Sequence, residues 1–369
     1  MLARSFLRSF SSYRFSLPQA STHLLDQSLL PTETTTTKEE LLKYLHDMYT
    51  IRRIEITSDN FYKNKDIRGF CHLADGQEAI AVGMEAAITH EDNLISAYRI
   101  HPQAYMRGET PHQIFAEMFG RQAGSSKGKG GSMHFYNKDT NFYGGNGIVG
   151  AQIPVGVGLA FALKYKKKPN VAVIMFGDGA ANQGQVYEAN NMACLWKLPA
   201  IFVVENNRYG MGTSIERAAA NSEFYTRGHP APGIRIDGQN VLAVRENFRF
   251  AKEWSLKNGP LWIEIETYRY HGHSMSDPGI SYRNREEVSQ MRNSRDPIEK
   301  IKGMLLEKGE VTEQEIETLE KKIKDEINHA AEKAKAEAYP EPIELFKDIY
   351  DPSHKVKVRN VEFKDTVSV

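Results

Sequence analysis

Two apolar runs constrain this 369-residue chain more than any other feature: VAVIMF at 171–176 and AIFVVE at 200–205, with a stretch of helical character between them at about 183–197. Apolar runs this short suit strands covered on both faces. Strand, helix and strand with short joints bring the second strand back parallel to the first through a right-handed crossover. The sequence PLWIEIETYRY at 260–270, preceded by a helix near 244–257, predicts a third strand, and a short one at 92–96 ends close to Tyr98 and Arg99. Helical spacing of apolar residues predicts helices at 38–62, 76–87 and 110–119, and AQIPVGVGLAFALKY at 151–165 reads as a buried helix with small residues for close contact. Between them, 120–150 reads as one long glycine-rich loop, and beyond Arg283 the chain is charged and helical. The expected fold class is α/β, a parallel β-sheet flanked by helices with a helical C-terminal region.

Lys plus Arg and Asp plus Glu are equal at 47 each, so no net field draws the chain to nucleic acid or to an anionic membrane. Two cysteines, Cys71 and Cys194, are too few for a disulfide framework. No apolar stretch approaches the roughly 20 residues that cross a bilayer. Residues 1–25 carry Arg4, Arg8 and Arg14, five serines before Leu17 and no acid, the pattern of a mitochondrial transit peptide. The TETTTT that follows suggests a linker at 26–37, leaving a main domain at 38–350 and a tail at 351–369.

The first apolar run enters Gly177-Asp178-Gly179. Taken alone, Asp178 reads as a helix N-cap. The crossover changes that reading, because it carries Asn206 and Asn207, at the end of the second run, to the same carboxyl edge of the sheet, where open α/β folds bind ligands. A carboxylate, an amide oxygen and a backbone carbonyl leave about half of a Mg²⁺ shell for phosphate and water, which predicts a metal-bridged diphosphate. Two other glycine patterns fit their usual roles less well. GNGIVG at 145–150 lacks a preceding apolar strand and an acid about 20 residues on, as a nicotinamide site requires. GSSKGKGG at 124–131 lacks the spacing and the Ser or Thr of a triphosphate loop.

Gly177-Asp178-Gly179, then 26 residues, then Asn206-Asn207 resembles the thiamine diphosphate motif. The surrounding GDGAANQGQVYEANNMACLWKLPAIFVVENNRYGMGTS and YRYHGHSMSDPGISYR resemble the alpha subunits of the E1 component of mitochondrial 2-oxo acid dehydrogenases, from about Leu41 to Tyr350. The resemblance implies a thiamine-diphosphate-binding fold with Asp178, Asn207 and the Tyr209 carbonyl on Mg²⁺. It further implies a cofactor surrounded by His72, Tyr98, Arg99, Gly147, Val149, Gly179, Ala180, Arg269 and His273, with Met211 beneath it. His72 and His273 are the implied catalytic residues, in hydrogen bonding and proton handling or, as neutral imidazoles, in orientation alone.

The same resemblance implies oxidative decarboxylation of pyruvate and transfer of the two-carbon fragment to the lipoyl group of dihydrolipoyl acetyltransferase in the mitochondrial matrix, feeding acetyl-CoA formation. Branched-chain 2-oxo acid and acetoin dehydrogenases are the neighbouring alternatives; YRYHGHSMSDPG favours pyruvate. A non-catalytic scaffold would have no need of Asp178, Asn207 and both arginines. The family's pyrimidine-binding glutamate has no counterpart here, so a beta subunit in an α2β2 heterotetramer is expected to complete the site. Ser214, Ser274 and Ser281 match the family's phosphorylated serines, which implies a regulatory kinase and phosphatase.

Overall fold

The computed structural model describes residues 12–309, 311–349, 351, 353, 357–358 and 367–368. The strands ahead of residue 300 are β1 (Ser12–Ser16), β2 (Ser21–His23), β3 (Glu33–Thr37), β4 (Asn93–Ala97), β5 (Phe142–Asn146), β6 (Ala172–Gly177), β7 (Ala200–Asn206), β8 (Gly233–Asp237) and β9 (Leu261–Glu266). Seven of them form one sheet in the order β2-β8-β9-β7-β6-β4-β5. All its neighbours are parallel except β2, which runs antiparallel to β8 at the edge.

The helices are α1 (Lys38–Lys63), α2 (Glu78–Glu85), α3 (His101–Met106), α4 (Pro111–Met118), α5 (Gln152–Tyr165), α6 (Gly184–Leu195), α7 (Ile215–Ala218), α8 (Val241–Asn258), α9 (Arg285–Arg295), α10 (Pro297–Glu307) and α11 (Glu313–Lys335). The apolar run at 171–176 is unbroken because both its faces are covered. Val173 and Met175 join one core with α2, α4, α8 and α11, while Ala172, Ile174 and Phe176 join another beneath α5 and α6. α1 and α10 close a third cluster through Leu45, Met48, Ile298 and Ile301. The α/β architecture and mainly parallel sheet match the expectation from the two runs.

Three stretches read as leader, linker and loop contain strands. The expected linker at 26–37 holds β3, which pairs antiparallel with β1 from Ser12↔Thr37 to Ser16↔Glu33. Its threonines alternate inward: Thr34 and Thr36 are buried, and Thr34 Oγ1 donates to Glu246 and accepts from the buried Arg245, both at 2.8 Å. Of the expected leader at 1–25, residues 1–11 lie outside the described residues, whereas 12–25 contain β1 and β2 and so belong to the fold. Within 120–150 the chain forms β5, a full member of the sheet alongside β4. The expected tail at 351–369 falls mostly outside the described residues.

Candidate functional site

The site is built by strand tips. β4, β6, β7 and β9 lie side by side and parallel, so the residues just past their carboxyl ends share one edge. These are Tyr98 and Arg99 after β4, Asp178 after β6, Asn207 after β7, and Arg269 after β9. Gly177 pairs in register with Glu205, which places Asp178 beside Asn206 and Asn207, as the crossover argument requires. A cavity of about 470 Å³ opens there, lined among others by Tyr98, Arg99, Val149, Asp178, Gly179, Ala180, Asn207, Tyr209, Met211 and His273. A second cavity of about 520 Å³ lies behind the 271–283 loop and contains none of the strand-tip residues.

His72, Gly147 and Arg269 are not on the cavity wall. His72 stands behind Tyr98, ring centroids 4.3 Å apart, and Arg269 is completely buried. Gly147 follows β5, one strand beyond β4.

Asp178 is buried, and burial pushes its carboxyl up to about 6 against the opposing pull of N–H groups, Arg269 and Arg99. Asn207 is oriented from both ends: its Nδ2 donates to Gln77 at 3.2 Å and its Oδ1 accepts from the Tyr209 N–H at 3.3 Å. The Tyr209 carbonyl accepts from Arg269 Nη2 at 3.3 Å, and the Gly210 carbonyl from the same nitrogen at 3.1 Å. Arg99 donates to the Leu73 carbonyl and, at 3.0 Å, to the His273 carbonyl. Burial and the nearby Arg99 charge lower Arg269 to about 10. The two guanidiniums thus make a positive field with Asp178 as a nearby carboxylate, a setting in which a bound anion gains.

Tyr98 Oη lies 3.2 Å from His273 Nε2, and the His72 and His273 rings meet edge to face at 5.3 Å. Burial, reinforced by Arg99, takes His72 down to about 2 and His273 to about 3, so both imidazoles are neutral at physiological pH. His72 Nδ1, His273 Nδ1 and Arg269 Nε are buried without a hydrogen-bond partner, and such orphans are uncommon away from sites completed by something else. Among the described residues no cluster of three or more His, Cys, Asp or Glu could hold a metal by itself. One carboxylate with amide and carbonyl oxygens suits Mg²⁺ that shares its shell with phosphate, so the donor set fits the expected group.

The 271–283 loop forms one flank. Asp277 accepts from the His273 N–H at 2.7 Å, the Gly279 N–H at 2.9 Å and the Tyr282 hydroxyl. Arg283 ties the loop down through the Arg269 and His271 carbonyls at 2.8 and 2.6 Å. Ser274 is buried with its hydroxyl 2.9 Å from that of Ser276, whereas Ser281 is exposed and Ser214 is half-buried at the start of α7. Sequence reasoning missed Gln77 and Glu205, which also line the cavity. Burial raises Glu205 to about 7 against the pull of Arg99. Glu205 ends the second apolar run and Gln77 lies at the start of the expected helix at 76–87, but a lone Gln or Glu there carries no signal of its own.

A family model described as "Dehydrogenase E1 component" matches residues 46–343. The chain is 55% identical over 318 residues to the rice protein named pyruvate dehydrogenase E1 component subunit alpha-1, mitochondrial, covering 86% of this chain and 82% of the relative. It is 51% identical over 362 residues to the subunit alpha of Dictyostelium discoideum, covering 98% and 94%, and 50% identical over 355 residues to the human somatic form, covering 95% and 90%. With the model spanning most of the chain and such relatives covered nearly end to end, the chain belongs to the dehydrogenase E1 component family.

Proposed function

We propose that this chain is the alpha subunit of pyruvate dehydrogenase E1 and acts, with thiamine diphosphate and Mg²⁺, in the oxidative decarboxylation of pyruvate and the reductive acetylation of the lipoyl group of dihydrolipoyl acetyltransferase. The observation that carries the reading is the meeting of Asp178 and Asn207 at adjacent parallel strand tips over one cavity. The names of relatives at 50–55% identity supply the substrate. In this reading Asp178, the Asn207 amide oxygen and the Tyr209 carbonyl hold Mg²⁺, and Arg99 and Arg269 balance the diphosphate charge. Tyr98, Val149, Gly179, Ala180 and Met211 shape the walls, and Gly147 backs them from the turn after β5. Bound thiamine diphosphate supplies the electron sink for decarboxylation. His72 and His273, held neutral, donate and accept hydrogen bonds without carrying charge, and the Tyr98–His273 contact fixes the His273 ring.

The chain forms part of a site. Met211 and Val149 line the cavity yet are 69% and 40% exposed, and Phe161, Tyr165, Leu195 and Trp196 present an apolar surface on α5 and at the end of α6. Surfaces of that kind mark partner contacts. In our reading a beta subunit covers them in an α2β2 heterotetramer and supplies the missing pyrimidine-side glutamate. A kinase and phosphatase then act on Ser214, Ser274 and Ser281. The protein works in the mitochondrial matrix, and its leader ends before β1, since a cut at residue 25 would remove β1 and β2 from the fold. No helix among the described residues is long and apolar enough to cross a membrane.

Co-expression with the beta subunit followed by assay of carbon dioxide release tests the proposal. Mg²⁺-dependent turnover of pyruvate well above that of 3-methyl-2-oxobutanoate is expected. Preference for the branched substrate, or turnover indifferent to Mg²⁺, contradicts it.

A further inference from the structure

The glycine-rich loop that follows α4 has the backbone of an anion-binding nest, and its occupant belongs to the same chain. Glu117, completely buried near the end of α4, accepts from the N–H of Ser126 at 2.8 Å and of Gly128 at 2.9 Å on Oε2, and from Gly130 at 2.7 Å on Oε1. Lys127, Gly128 and Gly131 have positive φ, and the bends they make leave the Ser126, Gly128 and Gly130 N–H groups facing the one carboxylate. The side chains of Lys127 and Lys129, between those donors, go the other way. Lys127 Nζ meets Asp348 at 3.0 Å and Glu344 at 3.4 Å, and Lys129 Nζ meets Asp348 at 2.7 Å. Nearer the helix, the Gln122 N–H donates to the Ala338 carbonyl at 3.0 Å and Arg121 stacks on Tyr339 at 3.8 Å. The loop is held from inside by one carboxylate and from outside by the acidic segment at 338–348.

What the loop carries is the backing of the cofactor wall. Ser132 Oγ lies 2.8 Å from His101 Nε2, and His134 Nδ1 lies 3.0 Å from the Gly145 carbonyl. A Cβ added at Gly145 would stand 2.2 Å from the Met133 carbonyl, so the two backbones touch. Gly145 is two residues from Gly147 and four from Val149 in GNGIVG. Displacement of 126–134 therefore reaches the edge of the cavity through backbone contact.

We infer that Glu117 is a positioning residue for the cofactor site: it clamps the glycine-rich loop, the 338–348 segment closes the loop from outside, and together they set how tightly the cofactor is retained. The inference rests on the thiamine diphosphate reading above. It accounts for a loop that looks like a phosphate cradle in sequence, since a carboxylate already fills it.

The test uses the co-purified heterotetramer, titrated calorimetrically with thiamine diphosphate and Mg²⁺, with turnover measured separately at saturating cofactor. Glu117→Gln keeps the shape but puts an NH₂ donor against backbone donors. Its cofactor Kd is expected to rise about tenfold while kcat at saturation stays near wild type. Lys127→Ala with Lys129→Ala, on the exposed side, is expected to raise Kd by about threefold, and added salt to bring wild type toward the double variant. An unchanged Kd in assembled Glu117→Gln, or a fall in kcat with Kd unchanged, overturns the inference. If Glu117→Gln does not assemble, the lysine double variant decides: raised Kd supports the clamp and unchanged Kd overturns it. Asp178→Ala is the control for the underlying reading, because wild-type cofactor binding by that variant would refute the cofactor site itself.

Discussion

His72 and His273 are kept neutral by burial and by Arg99, with values near 2 and 3 against 6.5 for a free imidazole. A histidine whose folded value is depressed takes up a proton on unfolding over the interval between the two values, so stability rises with pH through that interval and levels off above 6.5. As pH falls below 6.5 we expect stability to fall, each imidazole contributing up to about 1.4 kcal/mol per pH unit. Denaturant melts of wild type and His273→Asn across pH 4 to 8 check this; equal acid slopes contradict it. Ser274 offers a second residue-scale test. Its hydroxyl is buried three positions from Asp277, the carboxylate that gathers the loop's N–H groups. Ser274→Glu places a second negative charge beside Asp277, so turnover and lipoyl acetylation by the tetramer are expected to fall by about an order of magnitude or more. Turnover equal to wild type would show that the loop tolerates the charge.

β6 and β7 were legible in the sequence because strands covered on both faces have no polar positions to interrupt them. β5 and β8, FYGGN and GIRID, were not, because each is short and carries glycine. β3 was hidden by its low-complexity threonines, although Thr is β-branched and alternate residues bury. Asp178 and Asn207 could be placed from spacing because parallel neighbours in register align their ends. Arg269 could be placed only by resemblance, since its position follows from β9 joining β7. A chain beginning after residue 25 lacks β1 and β2 and leaves β3 unpaired, so its thermal midpoint should lie several degrees below that of a chain beginning at Ser12. Equal midpoints for both would show that β1 contributes nothing. Gly156 on α5 is a packing residue: an added Cβ would lie 2.5 Å from Ile174 on β6. Gly156→Val should cost about 1–3 kcal/mol by urea melt. Gly158, with nothing within 4 Å, should tolerate alanine better.

At the scale of the molecule the chain provides one wall of a cavity, two arginines, one buried carboxylate at the strand tips, and a glycine-rich loop beside them. From its apolar outer surface on α5 and α6 we expect activity to require a second subunit that covers it. In our proposal the tips of β6 and β7 grip one divalent cation that holds the cofactor's diphosphate. Calorimetric titration of the purified heterotetramer with thiamine diphosphate, with and without Mg²⁺, in wild type and Asp178→Ala, tests it most directly. We predict tight, Mg²⁺-dependent binding by wild type and a loss of about a hundredfold or more in Asp178→Ala. Binding of equal strength in the two proteins, or wild-type binding that ignores Mg²⁺, would contradict the account.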